Sequence, residues 1–172
     1  MFLSLELIVM NNIQILFVVF IFFLFQLFLV DLLSLNLVRP DFLVILILYL
    51  SMSKGRLYGM AIGFGVGILS NLFGVGSYFG LEPFSLTIVG YLGGYLNGIY
   101  EKVLPHVFHF FWISIILFHF FIICYFRFQN IYISNAIEFS LIWFNTTSYT
   151  MLFIISMQFI YPFKEASSAE IS

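Results

Sequence analysis

Residues 55–71 read GRLYGMAIGFGVGILSN, an apolar stretch in which every fourth residue from 55 to 67 is glycine and the next step reaches asparagine. In water, a glycine inside a helix costs about 1 kcal/mol relative to alanine. In a bilayer, small residues four apart let two helix backbones approach closely. A second series with this spacing follows, so we expect the two series to face each other, or one to face a partner protein. The positions are Gly55, Gly59, Gly63, Gly67 and Asn71, then Glu82, Gly90, Gly94 and Gly98.

The composition extends the membrane interpretation to the whole chain. Of 172 residues, 63% are hydrophobic and 8% are charged, whereas an average soluble domain is roughly 25% charged. A water-soluble fold of this size could not bury so much apolar surface, so we expect an integral membrane protein. The net charge of -2 and the lack of a basic cluster argue against nucleic acid as a partner. The single cysteine, Cys124, excludes an internal disulfide and is expected to be a buried apolar side chain.

Six apolar runs separated by turn or charged residues predict an all-α integral membrane bundle of six transmembrane helices. The second run would span only about 16 Å at a rise of 1.5 Å per residue, which is too short to cross a bilayer untilted. We expect it to cross a thinned region, to recruit residues 35–38, or to be re-entrant. Pro40 and Asp41 mark its start, with Asp41 in the first helical turn. The predicted spans are 13–30, 42–52, 57–73, 84–100, 107–126 and 137–162.

Basic residues in the short loops predict the orientation of these spans. If the N-terminus is inside, four basic residues fall inside and two fall outside, so we expect both termini to be cytoplasmic. The first run lacks a basic n-region and a small-residue cleavage pattern, so we expect it to be retained. The inside residues are Lys54, Arg56, Lys102 and Lys164, and the outside residues are Arg39 and Arg127.

Polar residues at the ends of the runs are the candidates for binding. Asn71 and Glu82 flank the turn at 74–80 and are expected near the outer surface. Glu82 is either a solvated loop carboxylate or a group that binds a substrate or partner. The polar patch at 145–150 either forms hydrogen bonds between helices or lines a substrate cavity. Arg39 is the expected ion-pair partner of Asp41.

Catalytic patterns are absent from the sequence. It has no nucleophile elbow, no His-Glu-x-x-His zinc motif and no phosphate-binding glycine loop. Asp31 and Asp41 lie at the two ends of one loop, and nothing requires them to share a proton. We therefore expect a protein that is not an enzyme and that holds no cofactor or metal.

Short motifs from the second span onward resemble those of one family. An Arg-Pro-Asp sequence opens the span, a tyrosine lies near its end, and a basic hook follows. A Gly-Phe-x-x-Gly stretch and a later Gly-Tyr-Leu complete the set, which covers about a third of the chain. Their positions here are Arg39, Pro40, Asp41, Tyr49, Lys54, Arg56, Gly63, Phe64, Gly67, Leu72, Gly90, Tyr91 and Leu92. In this order and spacing they resemble the rod shape-determining protein MreD family, with Asn71 where that family usually has aspartate.

The resemblance implies a non-enzymatic adaptor of the cell-elongation machinery in the cytoplasmic membrane of rod-shaped bacteria. The implied partners are MreC, which is membrane-anchored and periplasmic, the actin-like protein MreB, the glycosyltransferase RodA and a class B penicillin-binding protein. The adaptor would dock MreC and link lateral peptidoglycan synthesis to MreB. The family also resembles, in outline, the S component of energy-coupling-factor transporters, so a vitamin-binding S component is the alternative. Such components usually carry an Ala-x-x-x-Ala face in the first helix, and this chain has no alanine before Ala61.

Overall fold

A computed structural model describes residues 12–34, 38–73 and 78–167, and within these ranges the elements are all helices. The all-α class expected from the sequence is therefore confirmed. Two helices have the length and apolar character of membrane spans, namely Ile13–Val30 with a mean hydropathy of 2.8 and Pro105–Arg127 with 2.3. The helices are α1 (Asn12–Leu33), α2 (Phe42–Lys54), α3 (Arg56–Leu72), α4 (Leu81–Gly93), α5 (Pro105–Arg127), α6 (Gln129–Ser134), α7 (Ala136–Ile160) and α8 (Phe163–Ser167).

The fourth predicted span differs from its helix at both ends. The helix α4 begins three residues before the predicted 84 and is followed by a 3-10 turn at Gly94–Leu96, well before the predicted 100. Gly80, at φ +91°, starts the helix, and Gly98, at φ +64°, turns the chain after it. These left-handed conformations favour glycine and cannot be continued into a helix. The membership of Gly98 in the second glycine series therefore reflects a turn and not a helix face.

The helix α2 is the centre of the molecule. Every residue from Leu43 to Ser53 is buried, and α1, α3, α4 and α8 pack around it. At about 1.5 Å per residue, its 13 residues span about 20 Å. Its core includes the fully buried side chains of Leu43, Val44, Ile45, Ile47, Leu48 and Met52. The short second run is therefore a helix surrounded by protein, and residues 35–37, which it was expected to recruit, lie outside the described residues.

Side chains from elsewhere in the chain form hydrogen bonds with backbone groups at both ends of α2. The N–H of Phe42 donates to Oε1 of Gln26 in α1 at 2.8 Å. At the opposite end, Nδ2 of Asn97 donates to the carbonyl oxygen of Met52 at 2.7 Å. Helix ends leave backbone groups that need partners, and here the protein supplies some of them in place of water. A helix buried in this way does not need to reach a water interface.

The helices α3 and α4 pack with their backbones in contact along the glycines. A Cβ added to Gly63 would lie 2.6 Å from the carbonyl oxygen of Leu86, and one added to Gly59 would lie 2.7 Å from that of Gly90. A Cβ on Gly67 would lie 2.5 Å from the backbone nitrogen of Pro83. Real Cβ atoms are not found so close to backbone atoms, so only glycine permits this approach. Of the two arrangements that the spacing left open, the series face each other.

We call this backbone contact between α3 and α4 the glycine seam. Gly94, of the second series, lies against the backbone of Arg56 and extends the seam by one step. Gly55, of the first series, has a φ of +83° and joins α2 to α3, and no described atom lies within 4 Å of its Cβ position. The two series therefore form one packing surface, with a turn glycine at each end, at Gly55 and Gly98.

Candidate functional site

The site is built around Asp41, which caps the N-terminus of α2. Its Oδ1 accepts from the N–H of Leu43 at 2.8 Å and from the N–H of Val44 at 3.2 Å. Its own N–H donates to Oγ1 of Thr150 in α7 at 3.2 Å. The sequence placed Asp41 in the first turn, whereas it is the cap itself, with the extended backbone (φ −117°, ψ 105°) that caps adopt. The buried Pro40 precedes it, so the Arg-Pro-Asp motif sets the start of the central helix.

The other carboxylate oxygen of Asp41 faces a histidine that sequence reasoning did not connect with it. Nε2 of His119 in α5 lies 3.4 Å from Oδ2 of Asp41. The second ring nitrogen, Nδ1, is hydrogen-bonded to Oγ of Ser85 in α4 at 2.8 Å. Ser85 and His119 are each only 1% exposed. One chain of polar contacts therefore joins α2, α4 and α5 inside the protein.

The structure adds contacts that the sequence did not predict. The sequence predicted Arg39 as an ion-pair partner of Asp41, and the structure places His119 within ion-pair distance of the same carboxylate. The sequence also offered no pairing of a nucleophile with a base, and the fold brings Ser85 next to His119. In the sequence, Ser85 is 34 positions and Asp41 is 78 positions from His119. No spacing motif could therefore have revealed these contacts. A histidine within a long apolar run was the one available signal.

A small polar chamber of about 50 Å³ lies beside Asp41, where six helices meet. Two carboxylates, Asp41 and Glu82, and two guanidinium groups, Arg39 and Arg127, are in its wall, so its charges are balanced. Its volume is that of a few water molecules at most. The remaining polar side chains of the wall are Gln26 of α1, Ser70 of α3 and Thr146 of α7.

Glu82 is buried in this chamber. It is only 8% exposed, and its charged or titratable neighbours are Asp41, His119 and Arg127. The interpretation of Glu82 as a solvated loop carboxylate is therefore wrong. Its helix begins at Leu81 rather than at 84, which turns the side chain inward. A buried carboxylate is costly unless opposite charge and hydrogen bonds compensate it, and here the Arg127 guanidinium supplies the positive charge.

The Ser85, His119 and Asp41 side chains are the residue types of a hydrolase triad, but their geometry favours a structural network. Ser85 is absent from the described wall of the chamber, and its hydroxyl is enclosed by protein. Acyl transfer needs a space about 3 Å from both the nucleophile and the oxyanion donors. These contacts connect three helices through buried polar groups that are hydrogen-bonded to each other, which makes the arrangement of the helices specific.

The polar patch at 145–150 divides between two roles. The Thr146 and Thr147 hydroxyls donate to carbonyl oxygens one turn earlier in α7, at 2.7 Å and 2.8 Å. Thr150 is the residue that bonds across to α2, through Asp41. Asn71 lies at the end of α3, and neither polar atom of its side chain has a hydrogen-bond partner among the described residues. For the patch at 145–150, the prediction of hydrogen bonds between helices is therefore confirmed at Thr150, whereas Thr146 lines the chamber.

Two apolar hollows flank α1. The first, which we call the α1–α3 groove, has a volume of about 380 Å³. The second, the α1–α2 cavity, has a volume of about 200 Å³ and reaches the ends of α2 and α7. Only 22% of the apolar segment of α1 is buried, against 44% for α5. The groove is lined by Ile15, Leu16, Val19, Tyr58, Ile62, Gly65, Val66 and Leu69.

Comparison with known proteins adds no assignment: the chain matches no family model, no curated protein and no solved structure.

Proposed function

We propose that the chain is a multi-pass adaptor of the MreD type in the bacterial cytoplasmic membrane, which docks MreC and links lateral peptidoglycan synthesis to MreB. The observation that supports this proposal is the position of the motif residues. Asp41 caps the central helix, and Gly63, Gly67 and Gly90 form the glycine seam. Four of the residues that carry the family resemblance thus set how the helices pack, as expected for a protein that acts by presenting a binding surface.

In this proposal the bundle crosses the membrane six times, through α1, α2, α3, α4, α5 and α7. The central α2 can be shorter than the bilayer is thick, because it is enclosed by protein and its backbone groups find partners there without reaching water. Both termini lie in the cytoplasm, which places the polar chamber and Arg127 toward the periplasm. Reporter fusions at Ser172 and within α6 test the arrangement, since they should report opposite sides; signals from the same side contradict six spans.

The α1–α3 groove is the surface that we propose for docking the membrane helix of MreC. Gly65 lies in this groove, and no described atom is within 4 Å of the position of its Cβ. A partner backbone can approach a helix closely where a side chain is missing. The glycines of the seam cannot serve in this way, because α4 already covers them.

The test is co-purification of MreC in mild detergent with the wild-type chain and with Gly65→Leu. A leucine at this position fills the groove, so we expect at least a tenfold loss of bound MreC with the thermal stability of the chain unchanged. Phe118→Leu in α5 is the control, because this exposed side chain lies on another helix. Equal recovery of MreC with Gly65→Leu would show that the groove is not the docking surface.

The adaptor role itself is tested in the native cell. Depletion of the protein should convert rods into round cells, because lateral wall synthesis would lose its link to MreB. Rod-shaped cells with impaired vitamin uptake would support the S-component alternative. The chamber lined by Glu82 and Thr146, where that alternative places the vitamin, has a volume of only about 50 Å³, whereas small-molecule sites occupy roughly 300–1,000 Å³.

A further inference from the structure

The polar side chains of the chamber beside Asp41 differ in how deeply they are buried. Arg39 is exposed, and Asp41 and Arg127 are partly exposed. These three charged groups form the rim, where solvent outside the protein can reach them. The inner polar side chains are buried, so their hydrogen bonding depends on what the chamber holds. They are Gln26, Ser70, Glu82 and Thr146.

Glu82 is the inner side chain that lacks hydrogen bonds. Its carboxylate feels the charges of Asp41, His119 and Arg127, but no hydrogen bond joins it to any of the described residues. It is 8% exposed and lines the chamber, so an occupant of the chamber can touch it. Buried polar groups are almost always hydrogen-bonded. An unpartnered carboxylate on this wall therefore indicates that the chamber is occupied.

The volume and the charges of the chamber specify its occupant. Benzene needs a cavity of roughly 150 Å³, whereas a water molecule takes up about 30 Å³. The chamber of about 50 Å³ is therefore too small for an organic ligand and holds roughly one or two water molecules. Its wall has two carboxylates and two guanidinium groups, so a neutral occupant preserves the balance of charge that a metal cation or an anion would disturb.

The inner wall also offers the mixture of donors and acceptors that water requires. The Thr146 hydroxyl donates to the carbonyl oxygen of Ile142 at 2.7 Å, so its oxygen is left as an acceptor. Oε1 of Gln26 accepts from the N–H of Phe42 at 2.8 Å, and the amide keeps two N–H donors. Glu82, as a carboxylate, only accepts. A water molecule donates twice and accepts twice, so it can serve all of these groups.

We propose that the chamber is a water site, in which ordered water bridges the Glu82 carboxylate of α4 to the polar side chains of α1, α3 and α7. Such a bridge is enthalpically nearly as good as a direct hydrogen bond. It extends to these helices the polar connection that Asp41, His119 and Ser85 form directly between α2, α4 and α5. The proposal does not depend on the adaptor role.

The test is radiolytic footprinting of the full chain in detergent, in which an X-ray pulse converts water into hydroxyl radicals that oxidise adjacent side chains. Two buried sulfur side chains report on it, since sulfur is readily oxidised. Cys124 lines the chamber and is 2% exposed, whereas Met52 is 0% exposed and lies in the apolar core. Relative to the denatured chain, we expect Cys124 to be oxidised about tenfold faster than Met52. Equal protection of the two would overturn the proposal.

A first pair of variants tests whether the chamber is the source of this oxidation. Ser70→Val fills the chamber with apolar atoms, so oxidation of Cys124 should fall about tenfold, to the level of Met52. Ser140→Val, at an exposed position of α7, is the matched control and should leave it as in wild type. Unchanged oxidation of Cys124 in Ser70→Val would place the water elsewhere and overturn the proposal.

A second pair tests the role of the carboxylate. Glu82→Gln keeps a polar group for the water and should retain the oxidation of Cys124, whereas Glu82→Leu should reduce it. Continued protection of Met52 shows that each variant is folded. Equal oxidation of Cys124 in the two variants would show that Glu82 does not hold the water. Failure of MreC to co-purify with a chain whose chamber contains water would count against the adaptor role alone.

Discussion

Two glycines only two residues apart show how differently the sides of α3 are used. Gly63 faces α4, where a Cβ would lie 2.6 Å from the carbonyl oxygen of Leu86, while Gly65 faces the α1–α3 groove and meets no described atom within 4 Å. The first allows packing inside the chain, and the second leaves room for something outside it. The comparison teaches that a missing side chain in an apolar helix has a meaning only once its direction is known.

The same contrast separates the two halves of the bundle. On one side the glycine seam joins α3 to α4, and the polar contacts of Asp41 and His119 join α2, α4 and α5. On the other side α1 is mostly exposed and is flanked by two hollows. Tight packing resists substitution, and loose packing tolerates it while offering space to a partner.

The largest expected effect comes from Gly63→Leu, which disrupts the packing of α3 against α4. The leucine cannot fit against the backbone of α4, so we expect a loss of about 3 kcal/mol or more in the free energy of unfolding. Unfolding of the purified chain in detergent measures it. The matched control, Gly65→Leu, should stay within about 0.5 kcal/mol of wild type. Equal losses for the two variants would mean that the sides of α3 do not differ.

An intermediate effect is expected from Asp41→Ala, which removes the cap of α2 and the partner of His119. We expect a loss of about 2 kcal/mol in unfolding free energy, since the N–H groups of Leu43 and Val44 lose their acceptor. Asp41→Asn retains a capping oxygen and should lose less. Glu101→Ala, at an exposed acid outside the helices, is the control for removing a carboxylate. A loss of unfolding free energy no larger than that of the control would show that Asp41 does not stabilise the tightly packed half of the bundle.

The smallest effect is expected from Asn97→Leu, which removes a hydrogen bond at the C-terminal end of α2. The carbonyl oxygen of Met52 would lose the donor that now lies 2.7 Å away, which costs about 1 kcal/mol. Hydrogen exchange of the last turn of α2 should quicken, while that of α1 stays as in wild type. Asn130→Leu, at an exposed position, controls for the change in polarity. Unaltered exchange in α2 would show that this end is held by other contacts.

Some of this organisation is readable from the sequence and some is not, for physical reasons. The four-residue spacing predicts close packing because it places Gly59, Gly63 and Gly67 near one helix face, and the two-residue offset of Gly65 places it elsewhere. The contacts of Asp41 with His119 and Thr150 link distant positions that carry no shared periodicity. The burial of Glu82 depends on where its helix begins, which Gly80 sets through its positive φ. The sequence showed that α2 is short but not that other helices would enclose it.

The shortness of α2 has an electrical consequence if the bundle spans a bilayer as proposed. The helix is about 20 Å long, whereas the 23 residues of α5 extend over about 35 Å. Because α2 is shorter and protein groups bond to its ends, its start at Asp41 lies below the surface of the molecule rather than at it. A unit charge crossing 100 mV changes its energy by about 2.3 kcal/mol. In the proposed arrangement the charges beside Asp41 lie within part of that voltage drop, so the membrane potential acts on them.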